Sequence, residues 1–232
     1  VLQELFAGRG ETVLRRWLLA KRIEAGMEQT LLPLRVDALP SGKGINVEAI
    51  LGLSEAEDGF LEKIPLIPGG RFFSGDNADE AVIPASVADA LDIDPTNLEQ
   101  AEIVLDDHRL KVVGILQDER FRTIHDIDDR PLIPVKSMLV ESDEVETEGG
   151  GDQAGIFYVD TSSLIVLPVR TAARFGANPY SLSIRFDDDA PIWNIMKELL
   201  TVTRIKFFMS SRVPFQAGEE GKRTTAAGIY YV

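Results

Sequence analysis

The chain has 232 residues, of which 44% are hydrophobic, enough to bury a core in one large domain or two small ones. Its net charge of −14 argues against nucleic acids and anionic membrane surfaces as partners, because these bind mainly through Lys and Arg. The absence of cysteine excludes disulfides, thiol catalysis and Cys-ligated metal sites.

The first third of the chain predicts a helix and then two strands. The apolar residues at helical spacing are Val13, Leu14, Trp17 and Leu18. The basic residues around them, Arg15, Arg16, Lys21 and Arg22, are interpreted as a solvated helix face. Residues 34–39 alternate between apolar and polar, which predicts a half-buried strand, and residues 44–53 predict a second strand. Prolines and glycines among apolar residues at 64–73 indicate a packed connector at a domain boundary.

The middle of the chain is richer in strands. Residues 80–84 predict a strand, and residues 85–91 predict a helix that buries Val87, Ala88 and Leu91. Residues 102–105 and 110–116 predict a hairpin, with residues 106–109 as its loop. The acidic, glycine-rich segment 141–153 has too few apolar residues to pack and is expected to be a mobile loop.

The last third predicts a strand–helix–strand unit. Strands are predicted at residues 156–159 and 164–167, and another at 180–186 with Leu182, Ile184 and Phe186 inward. A helix with Pro191 in its first turn and a strand at 204–209 follow. Candidate N-caps of that helix are Asp187, Asp188 and Asp189, and its apolar stripe is Ile192, Ile195, Met196, Leu199 and Leu200.

One group of side chains is a candidate metal site. His125 lies beside Asp126, Asp128 and Asp129, and carboxylates at this spacing can bind Ca²⁺ or Mg²⁺. The glycine and terminal glutamate of an EF-hand loop are absent, which favours a solvated acidic loop. The chain also has no P-loop and no Gly-x-Ser-x-Gly elbow. No catalytic, cofactor-binding or metal-binding residue is therefore assigned, and a metal-dependent hydrolase using this group remains the alternative.

A series of short motifs resembles one family. The first motifs are Gly70-Arg71-Phe72-Phe73, Asp76, residues 80–84, Ala88-Asp89-Ala90-Leu91 and residues 110–116. The later motifs are residues 164–168, 172–176 and 181–186. Their order, over about residues 64–200, resembles the MacB-like periplasmic core domain of ABC-transporter permeases of the MacB/FtsX type. The acidic segment 141–153 departs from that pattern, and the N-terminal region has no matching motif.

The resemblance implies an α+β fold with two lobes. A membrane-proximal, porter-like βαβ lobe would combine residues 1–68 and 170–232, and a smaller strand-rich α/β lobe would be inserted at 69–169. No run of about 18 apolar residues in this sequence could span a bilayer. The resemblance implies membrane helices that flank this piece of the protein.

The resemblance also implies a function without catalysis. The chain is expected to be an extracytoplasmic domain, periplasmic or extracellular, that couples ATP hydrolysis by a cognate ATP-binding subunit to substrate export or to a partner protein. The full-length protein is expected to be a dimer. A free-standing extracytoplasmic binding module is the other alternative.

Overall fold

The structure is a computed structural model that describes residues 10–24, 27–30, 34–126, 129–138, 156–186, 194, 206–210 and 226–230. These residues form a mixed α+β fold in which strands predominate. The predicted acidic loop at 141–153 and the predicted helix after Asp187 lie outside them. Within the described ranges, no helix has the length and apolar character needed to cross a bilayer.

Most of the described secondary-structure elements are β-strands. The described strands are β1 (Glu11–Leu19), β2 (Lys21–Glu24), β3 (Met27–Thr30), β4 (Leu34–Leu39), β5 (Gly44–Val47), β6 (Ala49–Leu53), β7 (Glu80–Pro84), β8 (Glu102–Leu105), β9 (His108–Leu116), β10 (Val135–Met138), β11 (Ile156–Tyr158), β12 (Leu164–Pro168), β13 (Asn178–Arg185), β14 (Lys206–Ser210) and β15 (Ala226–Tyr230). The described α-helices are α1 (Glu57–Phe60), α2 (Ala85–Leu91), α3 (Asp118–Arg122) and α4 (Val169–Arg174).

Eleven strands form one sheet, in the order β14-β15-β13-β1-β6-β12-β7-β9-β8-β4-β5. Strands β12 and β7 meet in its middle at a single bridged pair, Val166 and Val82. On each side of that pair the next strand is parallel, β6 to β12 and β9 to β7, and the outer strands are antiparallel. Going outward from this pair, the two halves of the sheet therefore have the same succession of parallel and antiparallel pairs.

Both faces of the sheet are covered in its middle. Strands β6, β7 and β12 are buried at every residue, and their side chains alternate between two hydrophobic cores. One core contains Ile50, Ile165 and the buried face of α2, and the other contains Leu51 and Phe121. Because β5 continues into β6, the strands from β6 to β5 curl around the first core.

The helix predicted around Val13, Leu14, Trp17 and Leu18 is wrong, because these residues belong to β1. Strand β1 is paired with β6 and β13 along its two edges, and its two faces contact different cores, with Leu18 against the first and Trp17 against the second. It therefore lacks the simple alternation of a half-exposed strand. The arginines there do not form a solvated face, since Arg15 is fully buried.

Most of the other predicted elements are confirmed. The strand at 34–39, the helix at 85–91 with its three buried residues, and the 102–116 hairpin are present. The hairpin loop is shorter than predicted, because β9 already begins at His108. The division into residues 1–68 with 170–232 and residues 69–169 stays a prediction, and strands from both parts are hydrogen-bonded in the one sheet.

Candidate functional site

A buried cluster of charged side chains lies against β1. Arg15 contacts the carboxylate of Glu57 through Nε and through Nη2, the latter at 3.1 Å from Oε2. Its Nη1 contacts the carboxylate of Asp126. The side chains of Arg15 and Glu57 are 0% exposed and that of Asp126 is 5% exposed. One guanidinium therefore joins β1, α1 and the segment that follows α3.

Local structure points the three groups at one another. Arg15 shares a face of β1 with Val13 and Trp17, and Trp17 stacks on Tyr180 of β13 with ring centroids 3.6 Å apart. Glu57 is the only buried residue of α1. The backbone N–H of Asp126 donates to the carbonyl of Arg130 at 2.7 Å, and its carboxylate contacts Arg15 of β1.

Burial dominates the electrostatics of the cluster. Burial disfavours the charge on Arg15, but attraction by Glu57 and other neighbours outweighs it, so the pKa of the guanidinium lies above its usual value. Burial raises the pKa of Glu57 in spite of Arg15. Burial also raises the pKa of Tyr180. A permanently charged arginine held by carboxylates is suited to tying elements together rather than to proton transfer.

The structure separates the residues of the candidate metal site. His125 is exposed, with Nδ1 2.9 Å from the carbonyl oxygen of Thr123, whereas Asp126 is buried against Arg15. Asp129 is exposed, and Asp128 lies outside the described residues. In the part of the chain that is described, no three His, Cys, Asp or Glu side chains are grouped so that they could hold a metal ion. Sequence reasoning singled out Asp126 but missed Arg15 and Glu57.

The Gly-Arg-Phe-Phe motif, residues 70–73, holds the connector between α1 and β7 in place through hydrogen bonds. Arg71 and Ser74 both donate to the carboxylate of Glu80, Ser74 through its backbone N–H at 2.8 Å. The backbone N–H of Arg71 donates to Val113 at 2.8 Å, and a Cβ on Gly114 would lie 2.6 Å from the Arg71 carbonyl oxygen. The motif therefore needs a glycine on β9 so that the connector can approach closely.

Two aspartates fix the starts of other segments. Asp118 accepts hydrogen bonds from the backbone N–H groups of Ala85 and Ser86, at 2.8 and 3.2 Å, and so caps α2 from a distant part of the chain. Asp76 accepts from the hydroxyl of Ser54 at 3.0 Å and from the backbone N–H of Glu55 at 2.8 Å. These carboxylates have structural partners.

No protein-family model and no curated protein matches the chain. Among solved structures, it is similar to the extracellular domain of the noncanonic ABC-type transporter YknZ from Gram-positive bacteria, with 12% identity, a TM-score of 0.41, and 84% of this chain and 75% of that chain covered. It is also similar to the periplasmic region of MacB from Actinobacillus actinomycetemcomitans, with 11% identity, a TM-score of 0.41, and coverage of 84% and 66%.

Proposed function

We propose that the chain is the extracytoplasmic domain of an ABC-transporter permease and acts by conformational change, without catalysis. The position of the outer strands carries the proposal. Strands β1 and β15, from opposite ends of the chain, lie on either side of β13. With neighbouring strands about 4.8 Å apart, β1 and β15 are about 10 Å apart. Segments flanking the domain could therefore hold it from one region of the sheet.

The register of these strands adds to the argument. Glu11, at the start of β1, pairs with Arg185, at the end of β13, and their side chains form an ion pair. The chain thus enters β1 and leaves β13 at the same place. In the proposal, ATP hydrolysis on a cognate subunit moves flanking membrane helices, and the displacement reaches β1 and β15, the strands on either side of β13. The work is done on an exported substrate or a partner protein, in a dimer of the full-length protein.

The contacts of three motif residues and of Asp118 favour a structural role. Arg71, Asp76, Glu80 and Asp118 hold connectors and helix starts through hydrogen bonds within the fold. The metal-dependent hydrolase alternative would require Asp126 to leave Arg15, and the buried charge of Arg15 would then lose one of its two partners. We therefore favour the transporter domain over the hydrolase.

Cysteine labelling tests the proposed location, because the chain has no cysteine of its own. Asp107→Cys places a thiol on the exposed tip of the β8–β9 hairpin. In intact cells that produce the full-length protein, we expect a membrane-impermeant maleimide to label this variant. Ala88→Cys, at a buried position of α2, is the matched control and should react only after unfolding. Labelling of Asp107→Cys only after cell lysis would overturn the proposal.

A further inference from the structure

The buried contact of helix α1 with the sheet is ionic, and Leu61 at its C-terminal end packs partly against the second core. Glu57 is its only buried residue, and its N-terminus has no side-chain cap. Two arginines hold it. Arg15 binds the Glu57 carboxylate, and Nη1 of Arg185 donates to the carbonyl of Gly59 at 2.8 Å.

The two arginines come from neighbouring strands, the first strand β1 and the strand β13 that lies between β1 and β15. Arg15 is on β1 and Arg185 is at the end of β13, where it also pairs with Glu11. A displacement of β1 against β13 would therefore move the two anchors of α1 relative to each other.

The turn after α1 is strained. Glu62 and Lys63 have φ values of 64° and 113°, in the region that favours glycine, and both side chains are exposed. The turn is followed by the buried Ile64, whose backbone N–H donates to Asp58 at 3.3 Å. Contacts on both sides thus hold residues 62–63 in an unfavourable conformation, which favours a change once one contact is lost.

We propose that residues 57–63 form a latch, closed by Arg15 and Arg185, that opens when β1 and β13 are displaced. The source of that displacement rests on the proposed function, whereas the attachment of the latch does not. Opening exposes the carboxylate of Glu57 and relaxes the turn at Glu62 and Lys63.

Hydrogen exchange on the full 232-residue chain tests the attachment. The backbone amides of Phe60 and Leu61, both in the latch, donate to the carbonyls of Ala56 and Glu57. We expect Glu57→Gln to speed their exchange by about tenfold or more and to leave β12 unchanged, because only local opening becomes easier. Arg185→Gln should give a smaller rise in the same amides, and it serves as the test if Glu57→Gln does not fold.

The control variant is Arg35→Gln, which removes an exposed ion pair with Asp37 elsewhere on the sheet and should leave the latch unchanged. Unchanged exchange of residues 57–61 in both latch variants would overturn the latch. An equal rise in β12 would overturn it as well, because the opening would then be global.

Spin-label distances in the full-length transporter with its ATP-binding subunit test the movement. Labels at Gly59→Cys and Asp107→Cys should change their separation between the ATP-free and the vanadate-trapped states. Labels at Thr96→Cys and Asp107→Cys, both outside the latch, should not. A constant Gly59–Asp107 distance in a transporter that hydrolyses ATP overturns the latch and leaves the proposed function standing. Faster exchange in the variants, combined with a full-length protein that copurifies with no ATP-binding subunit, would support the latch and overturn the function.

Discussion

Helices α1 and α3 occupy matching places in the two halves of the sheet but are anchored differently. Helix α1 follows β6, which runs parallel to β12, and α3 follows β9, which runs parallel to β7. The buried residue of α1 is Glu57, paired with Arg15, whereas the buried residue of α3 is Phe121. The same topological position is thus held by an ion pair in one half and by an aromatic ring in the other.

The difference teaches what each kind of anchor can do. Burial of Phe121 stabilises the fold through the hydrophobic effect, which does not depend on the orientation of the contact. Apolar side chains of similar volume can therefore replace it. The Arg15 cluster gains little net stability over an apolar contact, because its charges lose their hydration. It depends instead on geometry, so a small shift of β1 weakens it. An ionic anchor suits a helix that has to be released, and an apolar anchor suits one that stays in place.

The largest expected effect comes from removing the guanidinium. We expect Arg15→Met to lower the free energy of unfolding by about 3–5 kcal/mol, because Glu57 and Asp126 remain buried without it. Phe121→Ala should cost a similar amount, about 3–5 kcal/mol, through the cavity it leaves. Urea unfolding followed by circular dichroism measures both.

Conservative variants then separate the two anchors. Phe121→Leu should lose less than about 1.5 kcal/mol, because a similar apolar volume is kept. Arg15→Lys should lose clearly more, since an ammonium cannot contact Glu57 through two nitrogens and Asp126 through a third. If both conservative variants were equally mild, the contrast between the anchors would be refuted.

Local sequence patterns predicted individual strands and helices, but the charged cluster around Arg15 depends on contacts between residues far apart in sequence. Residues 34–39 and 85–91 carry their own alternation or helical spacing, so the strand and the helix could be read directly. Arg15 meets Glu57 and Asp126 across 42 and 111 residues, and no local signal predicts such a pairing. Asp126 stood out as a candidate metal ligand because its neighbours are acidic, and its actual partner became visible only with β1 placed as a strand.

The two buried glutamates should respond to pH in opposite directions. Burial raises the pKa of Glu57, so its contribution to stability is present at low pH and is lost as the pH rises through the raised pKa. Burial opposes the charge on Glu80 too, but hydrogen bonds from Arg71 and Ser74 outweigh it and lower the pKa. The contribution of Glu80 is therefore present at higher pH and is lost as the pH falls through the lowered pKa.

Unfolding free energies of Glu57→Gln and Glu80→Gln, each compared with wild type between about pH 3 and about pH 7, test this contrast. The stability advantage of wild type over Glu57→Gln should shrink as the pH rises. Its advantage over Glu80→Gln should grow. Two advantages that change in the same direction would contradict the assigned environments.

The smallest expected effect concerns the helix ends that follow β7 and β12. Both helices end in the same motif, since Ile93 donates to the carbonyl of Ala88 at 2.9 Å and Ala177 to that of Ala172 at 3.1 Å. The left-handed residue is Asp92 in α2, with a φ of 61°, and Gly176 in α4, with a φ of 90°. Only one half of the sheet therefore has the residue that this conformation prefers.

We expect Asp92→Gly to stabilise the chain by about 0.5 kcal/mol and Gly176→Ala to destabilise it by about 1 kcal/mol. Asp92 also has an exposed ion pair with Lys43, at 3.0 Å, which contributes little at the surface. Asp92→Asn removes that pair and keeps a side chain that tolerates the left-handed region. The difference between Asp92→Gly and Asp92→Asn therefore isolates the backbone effect. The midpoints of urea unfolding measure the stability of all three variants, provided that the unfolding free energy depends on urea concentration with the same slope in each. A gain from Asp92→Asn as large as that from Asp92→Gly would assign the effect to charge instead of to the backbone.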